Sequence, residues 1–146
     1  MRKLLLILCA FVLAFSVCGC EKDDAKPVAK NVQEWVAQNA EKIDEYCKGA
    51  SSDTHVVTIE AEDNTVIFNF KDYNMSDEDL QQAQMGALND QEAWNKKSAE
   101  EKQEYLRTYV KTLEANGLEG MPLPDCLVTR YFDENDELIA STYFSK

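Results

Sequence analysis

One histidine, His55, is all that the 146 residues contain, and no Gly-x-Ser-x-Gly elbow appears anywhere. A nucleophile needs a base held between it and an orienting carboxylate, so serine-hydrolase chemistry has little to build on. Basic side chains are scarce, 15 Lys and Arg against 27 Asp and Glu, giving a net charge of −12. Nucleic acid and anionic lipid headgroups both demand positive charge, so neither is an expected partner. Long apolar runs are absent after residue 20, where the longest uninterrupted one is three residues. That excludes a membrane span beyond that point, since about 20 apolar residues are needed.

The beginning is the opposite in character. Met1-Arg2-Lys3 is basic, residues 4–17 are apolar, and Val17-Cys18-Gly19-Cys20 precedes the sharply polar Glu21-Lys22-Asp23-Asp24. A basic start, a short apolar core and small residues before a cut form an export signal. As a helix the apolar core would span about 21 Å, short of the ~30 Å of a bilayer interior. The cysteine after the small residues resembles the lipobox of bacterial lipoproteins. The resemblance implies diacylglyceryl transfer to the Cys20 sulfur and cleavage after Gly19; the competing reading is a plain secretory cut. One acyl chain binds only marginally, whereas two hold a protein at a membrane. The expected organisation is a signal peptide over 1–19, a lipidated flexible tether over 20–30, and one domain over 31–146. The expected place is the extracytoplasmic face of the cell membrane, anchored by lipid on Cys20. Arg2 and Lys3 leave with the signal, making the remainder still more acidic.

Cysteine usage follows from that location. Cys9 and Cys18 fall within the signal, and Cys20 takes the lipid, leaving Cys47 and Cys126. Outside the cytoplasm disulfides persist, and closing so long a loop would contribute on the order of 4 kcal/mol. A Cys47–Cys126 disulfide is therefore expected, the other arrangement being two separately buried thiols. These two cysteines and His55 fall short of a four-ligand zinc set, so no metal and no cofactor is expected.

Asn31 with Glu34 reads as a capping box opening a helix, with Val32, Trp35, Val36, Ala40, Ile43, Tyr46 and Cys47 on one face and Gly49 as its left-handed stop. Val57, Ile59 and Ala61, then Val66, Phe68 and Phe70, alternate on either side of Asp63-Asn64, which predicts a β-hairpin with one buried face. Ser76 with Asp79 opens a second helix whose stripe, Leu80, Ala83, Ala87 and Leu88, is thin. Ser98 with Glu101 opens a third, carrying Leu106, Tyr109, Val110 and Leu113 and ended by Gly117. Gly120-Met121-Pro122-Leu123-Pro124 is an extended connector. Residues 126–132 and 138–144 are β-rich runs around an acidic turn. The predicted class is α+β: a four-stranded antiparallel sheet from two β-hairpins, helices packed on one face, in the order α-β-β-α-α-β-β.

With the lipobox, the leading helix and the first hairpin, the ending from Val128 to Phe144 resembles a group of small Gram-positive lipoproteins of unknown function. The likeness rests on hydrophobic pattern and turn residues and implies no site residues. The Cys47/Cys126 pair departs from that group.

Candidates for chemistry are few. Ser51, Ser52, Asp53 and His55 crowd one loop and read as a surface turn. Asp133-x-Asn135-x-Glu137 begins like a calcium loop, but Leu138 and Phe144 stand where Gly and the bidentate Glu belong. Trp94 and Tyr105 sit least comfortably on the apolar stripes and are the expected contact patch, provided they are exposed. The expected function is non-enzymatic binding of an envelope or extracellular protein. The alternative is an inhibitor of a secreted hydrolase that projects Ser51–His55 or Gly120–Asp125 as a loop.

Overall fold

A computed structural model describes residues 28–146, so Cys20 and the signal lie outside the described residues. Eight elements follow in order: α1 (Val32–Gln38), α2 (Ala40–Ala50), β1 (His55–Glu62), β2 (Thr65–Asp72), α3 (Asp77–Asn95), α4 (Ala99–Ala115), β3 (Cys126–Phe132) and β4 (Leu138–Ser145). Among the described residues no helix is long and apolar enough to cross a membrane.

Local chemistry accounts for most element boundaries. Asn31 accepts the Glu34 N–H at 2.8 Å, and Glu34 in turn accepts the Lys30 N–H. Full capping boxes open α3 at Ser76/Asp79 and α4 at Ser98/Glu101. Each satisfies backbone donors that a helix start would leave orphaned. Gly117, at φ +83°, ends α4. Its N–H reaches the Glu114 carbonyl while the Leu118 N–H reaches that of Leu113, and both leucines are buried in the core. This is a Schellman stop with its apolar contact.

The leading helix differs from expectation twice. It breaks at Asn39, whose backbone N–H and side-chain Nδ2–H both donate to the Trp35 carbonyl. Gly49 is not the stop, because the helix runs on to Ala50. Ser51 ends it: its hydroxyl donates to the Cys47 carbonyl and accepts the Val57 N–H from β1.

The sheet has the order β1-β2-β3-β4 and is mixed, which corrects the purely antiparallel expectation. Both hairpins are antiparallel as predicted, but β2 and β3 run parallel, from Thr65↔Cys126 to Lys71↔Phe132. The cause lies in the return path. Helix α4 crosses the sheet, its Tyr105 stacking on Phe144 of β4 and its Tyr109 meeting Phe68 of β2. The connector then comes back to the turn where β2 begins. There Asn64 donates its side-chain N–H to the Leu123 carbonyl and accepts the Asp125 N–H on its own carbonyl. Chain fixed at that point enters the sheet beside the start of β2, and so runs with it.

Helices cover one face, as expected. Beneath them Ile59, Val66, Phe68 and Leu127 meet Val32, Trp35, Leu106 and Leu113 in one core. Ile67 and Val128 point to the opposite face yet are buried, each mid-sheet with neighbours on both adjoining strands. Both sheet edges are also occupied. On the β1 edge the Val57 N–H donates to the Ser51 hydroxyl, and in the adjoining turn Asp63 exchanges two hydrogen bonds with Gln33. On β4, the Gln91 amide imitates another strand, accepting the Tyr143 N–H at 2.9 Å and donating to its carbonyl at 3.1 Å. Covered edges do not template aggregation.

The expected disulfide is not formed: Cys47 and Cys126 are free thiols. Cys47 lies on the helix side, where the Ile59 N–H donates to its sulfur, and burial pushes its pKa up to about 11. Cys126 opens the third strand and, by alternation with core Leu127, points to the opposite face. Two strand spacings are about 10 Å, beyond the ~7 Å Cα separation a disulfide tolerates. Alkylation of the chain denatured without reductant is expected to recover Cys47 and Cys126 on separate, singly modified peptides; a Cys47–Cys126 cross-linked peptide would contradict the fold.

Candidate functional site

Helix α3 runs alongside β4, with Gln91 bonded to Tyr143 and the Trp94 indole N–H donating to the Ser145 carbonyl at 3.0 Å. This corrects the expected stripe of α3. Ala83, Ala87 and Trp94 face inward, whereas Leu88 is 67% exposed. Small residues at 83 and 87 bring the helix close to the strand edge, and Gln91 locks it there.

Trp94 and Tyr105 do come together, though not as the exposed patch expected of them. Trp94 is only 2% exposed. Its ring meets Tyr105 edge to face at 5.3 Å and Phe144 at 5.2 Å, while Tyr105 and Phe144 stack at 5.5 Å. Two helices that carry few large aliphatic residues at this end fill the space with rings, which bury much area each.

The three rings do not fill it completely. A half-open recess of about 120 Å³ lies between the α3 and α4 helices and the β3–β4 hairpin. Thr129 and Thr142, cross-strand partners and both buried, form its floor. Trp94, Tyr105, Tyr131 and Phe144 wall it, Asp90 and Ala93 border it from α3, and Lys97 borders it from just past the end of that helix. Its surface is chiefly apolar, with a few polar groups converging, the general character of a ligand site at a smaller size.

Asp90 is the charged group of interest. It is the one carboxylate lining the recess, and burial raises its pKa. It makes no hydrogen bond or ion pair among the described residues. Its charge acts on Tyr131, which packs on Phe70 with ring centroids 5.1 Å apart. Burial first, and Asp90 second, push the Tyr131 hydroxyl up to about 12. Lys97 does not neutralise Asp90; it is exposed, and its charge helps hold Glu101 below the usual carboxylate range after the Ser98 hydrogen bonds.

The other sequence candidates have structural partners. His55 Nδ1 lies 2.8 Å from Ser52 Oγ, and Nε2 lies 3.0 Å from the Ala50 carbonyl. The second nitrogen thus faces a backbone carbonyl where a triad needs a carboxylate. Asp133 accepts the N–H groups of Asn135 and Glu137 and organises its own turn. Among the described residues no group of three His, Cys, Asp or Glu is placed to hold a metal ion. Ser51–His55 is clamped between α2 and β1. Gly120–Asp125 is held by Asn64, with Met121 buried in the core.

Comparison with known protein families, with curated proteins and with solved structures finds no match to this chain.

Asp90 has a raised pKa in the fold, so its ionised form is disfavoured there. The cost is absent below the unfolded carboxylate pKa, about 4, and complete above the raised folded value. Asp90→Asn is therefore expected to melt no lower than the native chain at pH 7, with the difference vanishing towards pH 4. A clear loss of stability at neutral pH would mean that Asp90 has a structural partner.

Proposed function

We propose that this chain is a lipid-anchored protein of the extracytoplasmic membrane face that acts by binding rather than by catalysis. The recess beneath α3 and α4 is its binding site. The observation that carries the reading is the combination found there: an apolar, ring-walled hollow with one partly buried carboxylate that no described residue neutralises. That carboxylate is only partly withdrawn from water and makes no hydrogen bond or ion pair among the described residues, so it adds no stabilising contact of its own.

The anchoring half of the reading rests on the lipobox-like Val17-Cys18-Gly19-Cys20 and the complete export signal before it. The likeness to small Gram-positive lipoproteins belongs to the same half. The acidic balance favours basic or cationic partners over nucleic acid. The alternative, an inhibitor of a secreted hydrolase, has less support, because the two loops that would project are clamped against the domain.

The test joins both halves. Cys20→Ala is expected to release the protein from the membrane fraction while leaving its unfolding midpoint unchanged. A photo-crosslinker at Ala93, on the recess border, is expected to give an adduct in the native envelope that the same group at Glu60, on the opposite sheet face, does not give. Membrane retention of Cys20→Ala would overturn the anchor. Equal adducts from both positions would overturn the site.

A further inference from the structure

The chemistry of the recess restricts what it can hold. Its walls are four aromatic rings, and ring faces attract cations through their quadrupole. One ring already does so within the chain, since Lys102 Nζ lies 5.7 Å from the Trp94 ring centroid. The single carboxylate on the border, Asp90, supplies a fixed negative charge. An anionic ligand would meet that carboxylate and the negative ring faces together. A neutral ligand would further desolvate the half-buried Asp90 and offer it no opposite charge. Lys97, the only cationic group of the lining, is exposed at the rim and forms no ion pair with Asp90. The long-range field of a chain with net charge −12 draws small cations in.

Size restricts the ligand further. About 120 Å³ is well below an ordinary ligand pocket, and close to the ~150 Å³ that accommodates a benzene ring. The hollow therefore suits about six to eight heavy atoms. A strongly hydrated inorganic cation gains little from apolar walls, whereas an ammonium group that carries carbon substituents gains from rings and carboxylate alike.

We infer that the recess between α3, α4 and the β3–β4 hairpin binds a compact organic ammonium ion, with Asp90 as its counter-charge and Trp94, Tyr105 and Tyr131 as its walls. The inference rests on the recess being the binding site and adds the chemical class of what enters it. Binding by so few atoms is weak, with a dissociation constant of the order of millimolar.

The experiment is a methyl-detected NMR titration of the full chain, carried in maltoside micelles, with choline chloride at constant ionic strength. The neutral isostere 3,3-dimethylbutan-1-ol serves as the comparison. Expected are saturable shifts at the methyls of Ala87, Ala93, Thr129 and Thr142, with the isostere at least tenfold weaker. Asp90→Asn, with its melting midpoint checked alongside, is expected to weaken choline at least tenfold and leave the isostere unchanged. Absence of shifts up to 100 mM choline, equal binding of choline and isostere, or unaltered choline binding by Asp90→Asn would each overturn the ammonium assignment. An Ala93 adduct obtained alongside such a result would leave the recess as the site and reject only this ligand class. Saturable isostere shifts that exceed those of choline would mark the recess as an apolar site and overturn the inference as well.

Discussion

Asn64 holds three pieces of this protein at one point. Its side-chain oxygen accepts the Val32 N–H that begins α1, and its side-chain N–H donates to the Leu123 carbonyl. Its backbone carbonyl accepts the Asp125 N–H just before β3. The residue sits in the two-residue turn of the first hairpin beside Asp63, which takes a positive φ of 52°. A short polar side chain in a tight turn is where such local bonding is cheapest. Here the same amide also reaches across the chain, so one turn decides where α1 starts and where the connector returns. Asp125 is held further by Lys146 at 2.6 Å, which lowers its pKa and ties the chain end to the same corner.

The rest of the architecture follows from that corner. Because the connector reaches Asn64 before entering the sheet, β3 runs parallel to β2, and the second hairpin turns β4 outwards as an edge. An unprotected edge would be a liability, and α3 occupies it through Gln91 and Trp94. With α3 fixed at the edge and α4 crossing the sheet, a gap remains between the two helices over β3 and β4. Their large rings close most of the gap and leave the recess. The candidate site is thus a consequence of strand order, and moving β3 would dismantle it.

Much of this was legible in the residues, and the reasons are local. Capping at Asn31, Ser76 and Ser98 depends on side chains within three positions, and the alternation of Val57 to Phe70 fixes a buried face regardless of neighbours. The Gly117 stop is equally local. What escaped was non-local. Alternation says which face a strand buries but not which strand lies beside it, so the parallel β2–β3 pair left no mark. Gly49 looked like a helix stop, but Ser51 could bond both α2 and β1 and took that role. Cys47 and Cys126 suggested a staple because counting cysteines ignores which face each one points to. Trp94 and Tyr105 were found as anomalies of the helical stripe, yet their use was missed, since burial against Phe144 depends on α3 docking at an edge. Gln91 gave no signal, and Asn64 was legible only as a turn residue; the partners of both lie far along the chain.

The dependence on Asn64 is open to direct measurement by equilibrium chemical unfolding of Asn64→Ala beside the native chain. Loss of the side chain strands the Val32 N–H and the Leu123 carbonyl, each partly buried. A cost of about 1–3 kcal/mol is expected for groups left so. The account predicts a fall in that range with the Trp94 environment perturbed as well, because the β3–β4 hairpin loses its anchor. Stability within about 0.5 kcal/mol of the native chain, the ordinary scatter of a surface substitution, would contradict it.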